Sequence, residues 1–233
     1  MRAFLKSVPV IVLALLMSSC GTGVVAPSVT PPGTPLPSSV VSPSPTQTSP
    51  AGTPPIGTPK TVTFDFDTGL PAVTTRQSTP FDQTSGGVTA HFSSQFDPAG
   101  FSVQNHDTTF FNLSQFSGNF LMDSNSLRNP LYVSFSHKLT AITFTFATMD
   151  YHDPGAGGEP SSVKLTAYLD STGTSAVGTV TTHGTFSNDS YPEGTLLFSS
   201  GGQLFNLVVI ELPFLPQGAT DFMVDNISVT MAP

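Results

Sequence analysis

The 233-residue chain has no tryptophan, one cysteine and seven basic residues. With a single cysteine, at Cys20, no disulfide can form within the protein, so any fold must be held by its own core. The missing tryptophan removes the largest stacking ring, leaving phenylalanine and tyrosine as the aromatic surface. Residues 61–233 carry four basic residues (Arg76, Arg128, Lys138, Lys164) and all fifteen acidic ones, so their balance is 4 − 15 = −11. Nucleic-acid binding needs a basic stripe, and none is available. Long apolar runs are also absent. The N-terminal apolar run, Val8 to Met17 with Pro9 inside it, falls well short of the ~20 residues of a membrane-spanning helix. Neither Gly-x-Ser-x-Gly nor His-Glu-x-x-His occurs, glutamate is confined to Glu159, Glu193 and Glu211, and no local motif nominates a pair of catalytic carboxylates. The expectation is a protein without catalytic activity.

What is present falls into three blocks. Arg2 and Lys6 precede the apolar run, as in an export signal. Met17-Ser18-Ser19-Cys20 follows directly and resembles the lipobox of bacterial lipoproteins. That resemblance implies a signal peptide over residues 1–19, cleavage before Cys20, lipidation of Cys20 with fatty acyl groups such as palmitate, and attachment to a membrane of the cell envelope. The envelope localisation and the membrane as partner rest on it. Residues 20–60 read as a linker. From 21 to 60, eleven of forty residues are proline and the only charge is Lys60. Such a segment buries too little apolar area to offset its ordering entropy, so it is expected to be disordered, a stalk of extended polyproline II character.

The third block, residues 61–233, holds eighteen of the nineteen phenylalanines and many short alternating runs. Ile142, Phe144 and Phe146 alternate with threonines, Leu131, Val133 and Phe135 alternate with Tyr132, Ser134 and Ser136, and Val163, Leu165 and Ala167 alternate with Lys164, Thr166 and Tyr168. Val88, Ala90 and Phe92 do the same, and two further strands are read over 61–66 and 204–212. Each is a half-buried strand with one wet face. The run 204–212 is apolar on both parities and belongs near the middle of a sheet. Glycine turns at Ser85-Gly86-Gly87, Asp170-Ser171-Thr172-Gly173 and Ser199-Ser200-Gly201-Gly202 punctuate the runs. The only place for a helical turn is around 110–116. About ten strands in this length predict an all-β domain: a two-sheet antiparallel β-sandwich, jelly-roll-like.

The last run, Asp221-Phe222-Met223-Val224-Asp225-Asn226-Ile227-Ser228-Val229-Thr230, switches its apolar parity midway. Phe222 and Val224 share one parity, whereas Ile227 and Val229 share the other with Asp225. A bulge at Val224-Asp225 is therefore predicted. The acid among core residues needs backbone donors, a basic group or a metal.

The order of these runs resembles a known kind of module. Val62-Thr63-Phe64-Asp65-Phe66-Asp67 opens it, Gly87-Val88-Thr89-Ala90-His91-Phe92 follows, then Leu131 to Phe135, Ile142-Thr143-Phe144, Val163 to Asp170, and a closing Phe222-Met223-Val224-Asp225-Asn226-Ile227-Ser228-Val229. It is similar to the secreted jelly-roll domains of PEP-CTERM-sorted bacterial proteins and, more distantly, to galactose-binding-type carbohydrate modules. The chain ends at Met231-Ala232-Pro233 without a Pro-Glu-Pro motif, so the N-terminal lipid is expected to replace that sorting route. The resemblance implies a structural Ca2+ where first and last strands meet, held by Asp65 or Asp67 with Asp225. The other reading of Asp225 is an acceptor of backbone N–H bonds at the bulge. Glycan contact is expected in two places. One is the polar loop Asp150-Tyr151-His152-Asp153-Pro154-Gly155-Ala156-Gly157-Gly158-Glu159, through Tyr151, His152 and Asp153; its rival reading is a plain connection. The other is the outward sheet face carrying Tyr132, Tyr168 and His91, which equally reads as ordinary wet surface. The functional expectation is a non-catalytic envelope lipoprotein displaying a binding module, with extracellular carbohydrate as partner. The alternatives are a structural or adhesive envelope protein that contacts other proteins, and a divergent glycan-active hydrolase.

Overall fold

The computed structural model describes residues 58–68, 77–109, 111–124, 128–150, 160–186, 191–213 and 218–233. The signal segment, Cys20 and most of the 20–60 linker therefore lie outside the described residues. The domain is built from eleven strands: β1 (Thr61–Phe64), β2 (Phe81–Ser85), β3 (Val88–Ser94), β4 (Phe101–Asn105), β5 (Asn119–Asp123), β6 (Leu131–Thr148), β7 (Ser162–Tyr168), β8 (Ala176–His183), β9 (Glu193–Ser199), β10 (Phe205–Glu211) and β11 (Phe222–Met231). All the strand pairs are antiparallel. The single helical element among the described residues is a 3-10 turn, His106–Thr108. It does not fall at 110–116, where the described residues 111–116 carry no helix; it is set by Asn105, whose side chain accepts from the Asp107 amide. His106 and Asp107 consequently lie on a turn, with Nδ1 and Oδ1 3.6 Å apart, and not on a strand that would point them apart.

The 18-residue β6 organises the fold. Two runs that read as separate strands are one continuous strand. Its first half pairs with β3 and β10, and its second half pairs with β9 and β11. Between them Ser136 and His137 are exposed. Apolar parity also flips there, from Leu131, Val133, Phe135 and Leu139 to Ile142, Phe144 and Phe146, all of which are core residues. One strand thus passes from one sheet to the other at a bend. The first sheet runs β2-β3-β6-β10-β7-β8. In the second, β9 and β11 flank β6, β11 pairs on its far side with β1 and β5, and β4 completes the edge. The result is a β-sandwich. As expected from its apolar run, β10 is interior, between β6 and β7.

The core between the sheets is a phenylalanine lattice. Phe64, Phe66, Phe92, Phe101, Phe144, Phe146, Phe205 and Phe222 are fully buried. Their rings meet edge-on or stacked, as for Phe66 and Phe92 at 5.4 Å and Phe101 and Phe222 at 5.3 Å, which adds to the area term. Each such ring contributes roughly 2–3 kcal/mol of transfer free energy, and this replaces disulfides as the source of stability. A second apolar cluster lies outside the sandwich, on the outer face of the second sheet. There Leu113 and Phe116 of the 111–118 loop cover Phe120, Ala147 and Met223.

Candidate functional site

The terminal strand meets the first as expected: Thr61 pairs with Thr230 and Phe64 with Ile227. Asp225 pairs with Thr145 but Ser228 with Thr143, so β11 carries one extra residue. Asn226 absorbs it with φ +52, a left-handed conformation that asparagine tolerates. The bulge restores one face to the whole strand, because Phe222, Val224, Ile227 and Val229 all enter the same core. Asp225 is left pointing the other way and is fully buried. Its carboxylate accepts from the Asn226 amide (2.7 Å), Asn226 Nδ2 (3.0 Å) and the Ser117 amide (3.4 Å).

Asp65 and Asp67 lie beside it. The strand stops at Phe64 because Phe66 turns left-handed at φ +58 to reach the core, so the two acids do not share a regular strand face. Asp65 closes the turn, accepting from the amides of Asp67 and Thr68 at 3.1 Å each. Asp67 accepts from the Asn119 amide at 2.7 Å. Burial, followed by the neighbouring charges of Asp67 and Asp65, raises the Asp225 carboxyl to about 7, against the pull of the Asn226 and Ser117 amides. The structure thus brings Asp67 and Asp225 to the segment 117–119, through the Asn119 and Ser117 amides, with Asp65 in the adjoining turn. Their charge suits a divalent cation, and each carboxylate has acceptor capacity beyond its N–H partners. As they stand, the carboxylates are linked through backbone amides; among the described residues no three acidic, histidine or cysteine side chains converge on one point.

On the outer face of the first sheet, Tyr132 and Tyr168 come together across β10. Tyr132 pairs with Val209, and Tyr168 pairs with Leu207, one row further along. Leu207 and Val209 point away from the inter-sheet core yet are only 5% and 7% exposed. The two tyrosines therefore flank an apolar strip. Burial, then the closeness of Tyr168 and Glu211, pushes the Tyr132 phenol upward. Its hydroxyl donates to Gln95 Oε1 at 3.1 Å, and Lys164 and Glu211 pair at 2.7 Å on the same face. His91 lies on this sheet too, engaged with Asp82 at 2.7 Å.

Tyr151, His152 and Asp153 lie outside the described residues. The loop's first acid, Asp150, is described, and it is an anchor. It accepts from Thr148 Oγ1 (2.6 Å), the Ser161 amide (3.0 Å), Ser161 Oγ (2.7 Å) and the Ala219 amide (3.1 Å).

Two features were not read from the sequence. Glu193 is buried at the start of β9 and accepts from the Ser114 amide (2.9 Å), Ser114 Oγ (2.6 Å) and the Gln115 amide (2.9 Å). It ties the 111–118 loop to the second sheet. Beside that loop a cleft of about 420 Å³ opens over β4 and β5, lined by Ser78, Ser102, Gln104, Phe111, Met122 and Ser124. The alternation Phe101-Ser102-Val103-Gln104 was the available signal; the loop that walls the cleft has none.

No family model matches the chain, and no curated protein matches it. Among solved structures, the K2 cleaved adhesin domain of Lys-gingipain is similar over 74% of this chain and all of its own, at 14% identity and a TM-score of 0.47. TmCBM27, a carbohydrate-binding module studied for mannan recognition, is similar over 75% of this chain and 99% of its own, at 11% identity and 0.38. TmCBM61, solved with β-1,4-galactotriose, is similar over 62% of this chain and 88% of its own, at 10% identity and 0.35.

Proposed function

We propose that the protein is a non-catalytic lipoprotein of the cell envelope, anchored through Cys20, whose β-sandwich binds extracellular carbohydrate on the outer face of its first sheet. The observation that supports this most is the placement of Tyr132 and Tyr168 on one face, either side of the Leu207 and Val209 strip. Sugar rings have an apolar face and a hydroxyl edge. Tyrosine offers both matches, a ring to stack on and a phenol to hydrogen-bond. Gln95, Lys164 and Glu211 supply directional polar groups nearby. In this reading Tyr151, His152 and Asp153, which lie outside the described residues, are further glycan contacts. A structural Ca2+ belongs at the seam, bridging Asp225 to Asp65 or Asp67; its role is to neutralise the gathered acids and fix the first strand to the last.

The full chain is to be screened on an array of plant, microbial and host glycans, alongside Tyr132→Ala and Tyr168→Ala. Binding that drops at least about tenfold in either variant is the expected result. Failure of the chain to bind any glycan would sink the carbohydrate reading, and capture of a protein partner by this face would favour the adhesive one. Calcium is tested by the melting temperature in calcium and in chelator. Equal values, with no difference between them in Asp225→Ala, would exclude a structural ion.

A further inference from the structure

We infer that the cleft over β4 and β5 is a second ligand site, for a small neutral polyhydroxylated ring compound of one or two sugar units, separate from the tyrosine face. The backbone makes the floor. Phe101 and Val103 point into the core, so Ser102 and Gln104 face outward. Ser102 pairs with Met122 on β5, which continues the floor. Ser78 closes one side, because the segment 77–79 adds itself to the edge of β4: the Thr79 amide donates to the Phe101 carbonyl (2.9 Å) and the Val103 amide to the Gln77 carbonyl (2.8 Å). Ser124 closes another side, its hydroxyl donating to the Gly100 carbonyl at 3.1 Å.

Phe111 forms the wall. Its ring meets Tyr191 at 5.6 Å and Phe120 at 6.4 Å, both edge-on. The loop behind it is held by Leu113 and Phe116 in the outer cluster and by the Glu193 carboxylate. An aromatic wall fixed in this way loses little freedom on binding.

The lining decides the ligand class. It contains no charged side chain, in a domain whose balance is strongly acidic. An ionic ligand would be desolvated there without a partner. The polar groups are three hydroxyls and one amide; the Ser124 proton is given to the Gly100 carbonyl, so that hydroxyl accepts, while Ser78 and Ser102 can still donate. Gln104 Nε2 already donates to Ser102 Oγ at 2.7 Å; this orients the amide and leaves its oxygen without a donor among the described residues. Such a set suits vicinal hydroxyls, while Phe111 and Met122 suit the C–H face of the same ring. The volume lies within the range of small-molecule sites.

The test uses the full chain with ε-methyl-labelled methionine. Galactose, mannose, glucose, xylose and their β-1,4-linked disaccharides are titrated in, and the Met122 methyl resonance, assigned through Met122→Leu, is followed. At least one sugar is expected to shift it saturably. Phe111→Ala and Gln104→Leu are expected to weaken that sugar about tenfold or more, whereas the Tyr132→Ala, Tyr168→Ala double variant leaves it unchanged. Gln104→Leu is near in volume and keeps the strand intact, so it remains informative if Phe111→Ala unfolds. A Met122 resonance that no sugar moves overturns the inference, as does a response that Gln104→Leu and Phe111→Ala leave intact or that the tyrosine variant abolishes. The last outcome would assign all sugar binding to the tyrosine face, so the two sites fail separately.

Discussion

The two outer faces of the sandwich start from the same kind of surface and end differently. On the first sheet the strip of Leu207 and Val209 is screened by side chains of the sheet itself, Tyr132 and Tyr168, and by the partly exposed pair Lys164 and Glu211. On the second, Phe120, Ala147 and Met223 are covered by a separate loop, and that loop is held by buried carboxylates. Glu193 accepts from Ser114 and Gln115, and Asp225 accepts from Ser117. On the first sheet's outer face the acid Glu211 stays partly exposed, whereas Glu193 and Asp225 beneath the loop are buried. A loop brings backbone amides that no strand satisfies, and a carboxylate, with about four acceptor positions, can gather several at once. The burial of Glu193 and Asp225 is thus tied to covering this sheet with irregular chain.

That contrast is broken most directly at Glu193. Glu193→Ala should remove about 3 kcal/mol of stability, because it orphans donors at the base of the loop and releases Leu113 and Phe116 from their cluster. Urea unfolding measures it. A loss below about 1 kcal/mol would mean that the loop holds itself.

The second test is Asp225 and pH. Its carboxyl titrates at about 7 in the fold and at 3.8 ordinarily. Between those values the native chain keeps a proton that the unfolded chain has released, so stability is full below the lower value and falls as pH rises toward 7. In chelator the unfolding free energy, from urea titrations, should drop between pH 4 and pH 7 with a slope from this group of at most about 1.4 kcal/mol per pH unit. Asp225→Asn should flatten that part of the curve. Calcium, if it neutralises Asp65, Asp67 and Asp225 together, should blunt the fall in the parent chain alone. Identical pH profiles for the parent and Asp225→Asn would place the burden elsewhere.

These effects also mark where the sequence was legible. Periodicity reported the core: the parity switch in β11 predicted its bulge, because slipping one residue would have turned Ile227 and Val229 out of the core that holds Phe222 and Val224. The same kind of switch in β6 was passed over, since two runs separated by Ser136, His137 and Lys138 look like two strands until their shared neighbours are known. Strands β2, β4, β5 and β9 went unread. Phe81–Ser85 and Phe101–Asn105 are only five residues long. Asn119–Asp123 is apolar on both faces because a loop covers its outer one. The seam between first and last strands was predicted from a resemblance, and β1 does pair with β11 there, but its acids are linked through backbone amides and do not converge on one point. The cleft was not legible as a site, because Ser78, Ser102, Gln104, Phe111 and Met122 come from four separate stretches and none forms a motif.

Gly118 offers a smaller test at the seam. It takes φ +62, and a Cβ there would lie 2.2 Å from Asp67 Oδ2. Gly118→Ala combines left-handed strain with displacement of Asp67 from the Asn119 amide, and should cost about 1–2 kcal/mol. If calcium bridges the seam, the same variant should weaken the ion's stabilising effect, measured as the difference in melting temperature between calcium and chelator.

The smallest effect belongs to the first sheet. Lys164 and Glu211 pair at 2.7 Å, but both are about one-third exposed, and such pairs contribute little because water screens them and two long side chains must be ordered. The double change Lys164→Met, Glu211→Gln should therefore alter stability by less than about 1 kcal/mol. The same substitutions remove the Lys164 donors and turn a charged Glu211 acceptor into a neutral amide beside Tyr132 and Tyr168, so any glycan held on that face should bind more weakly while the fold is unmoved. A large stability loss here would erase the distinction between the faces, because it would show that the open face, too, depends on its charged groups to stay folded.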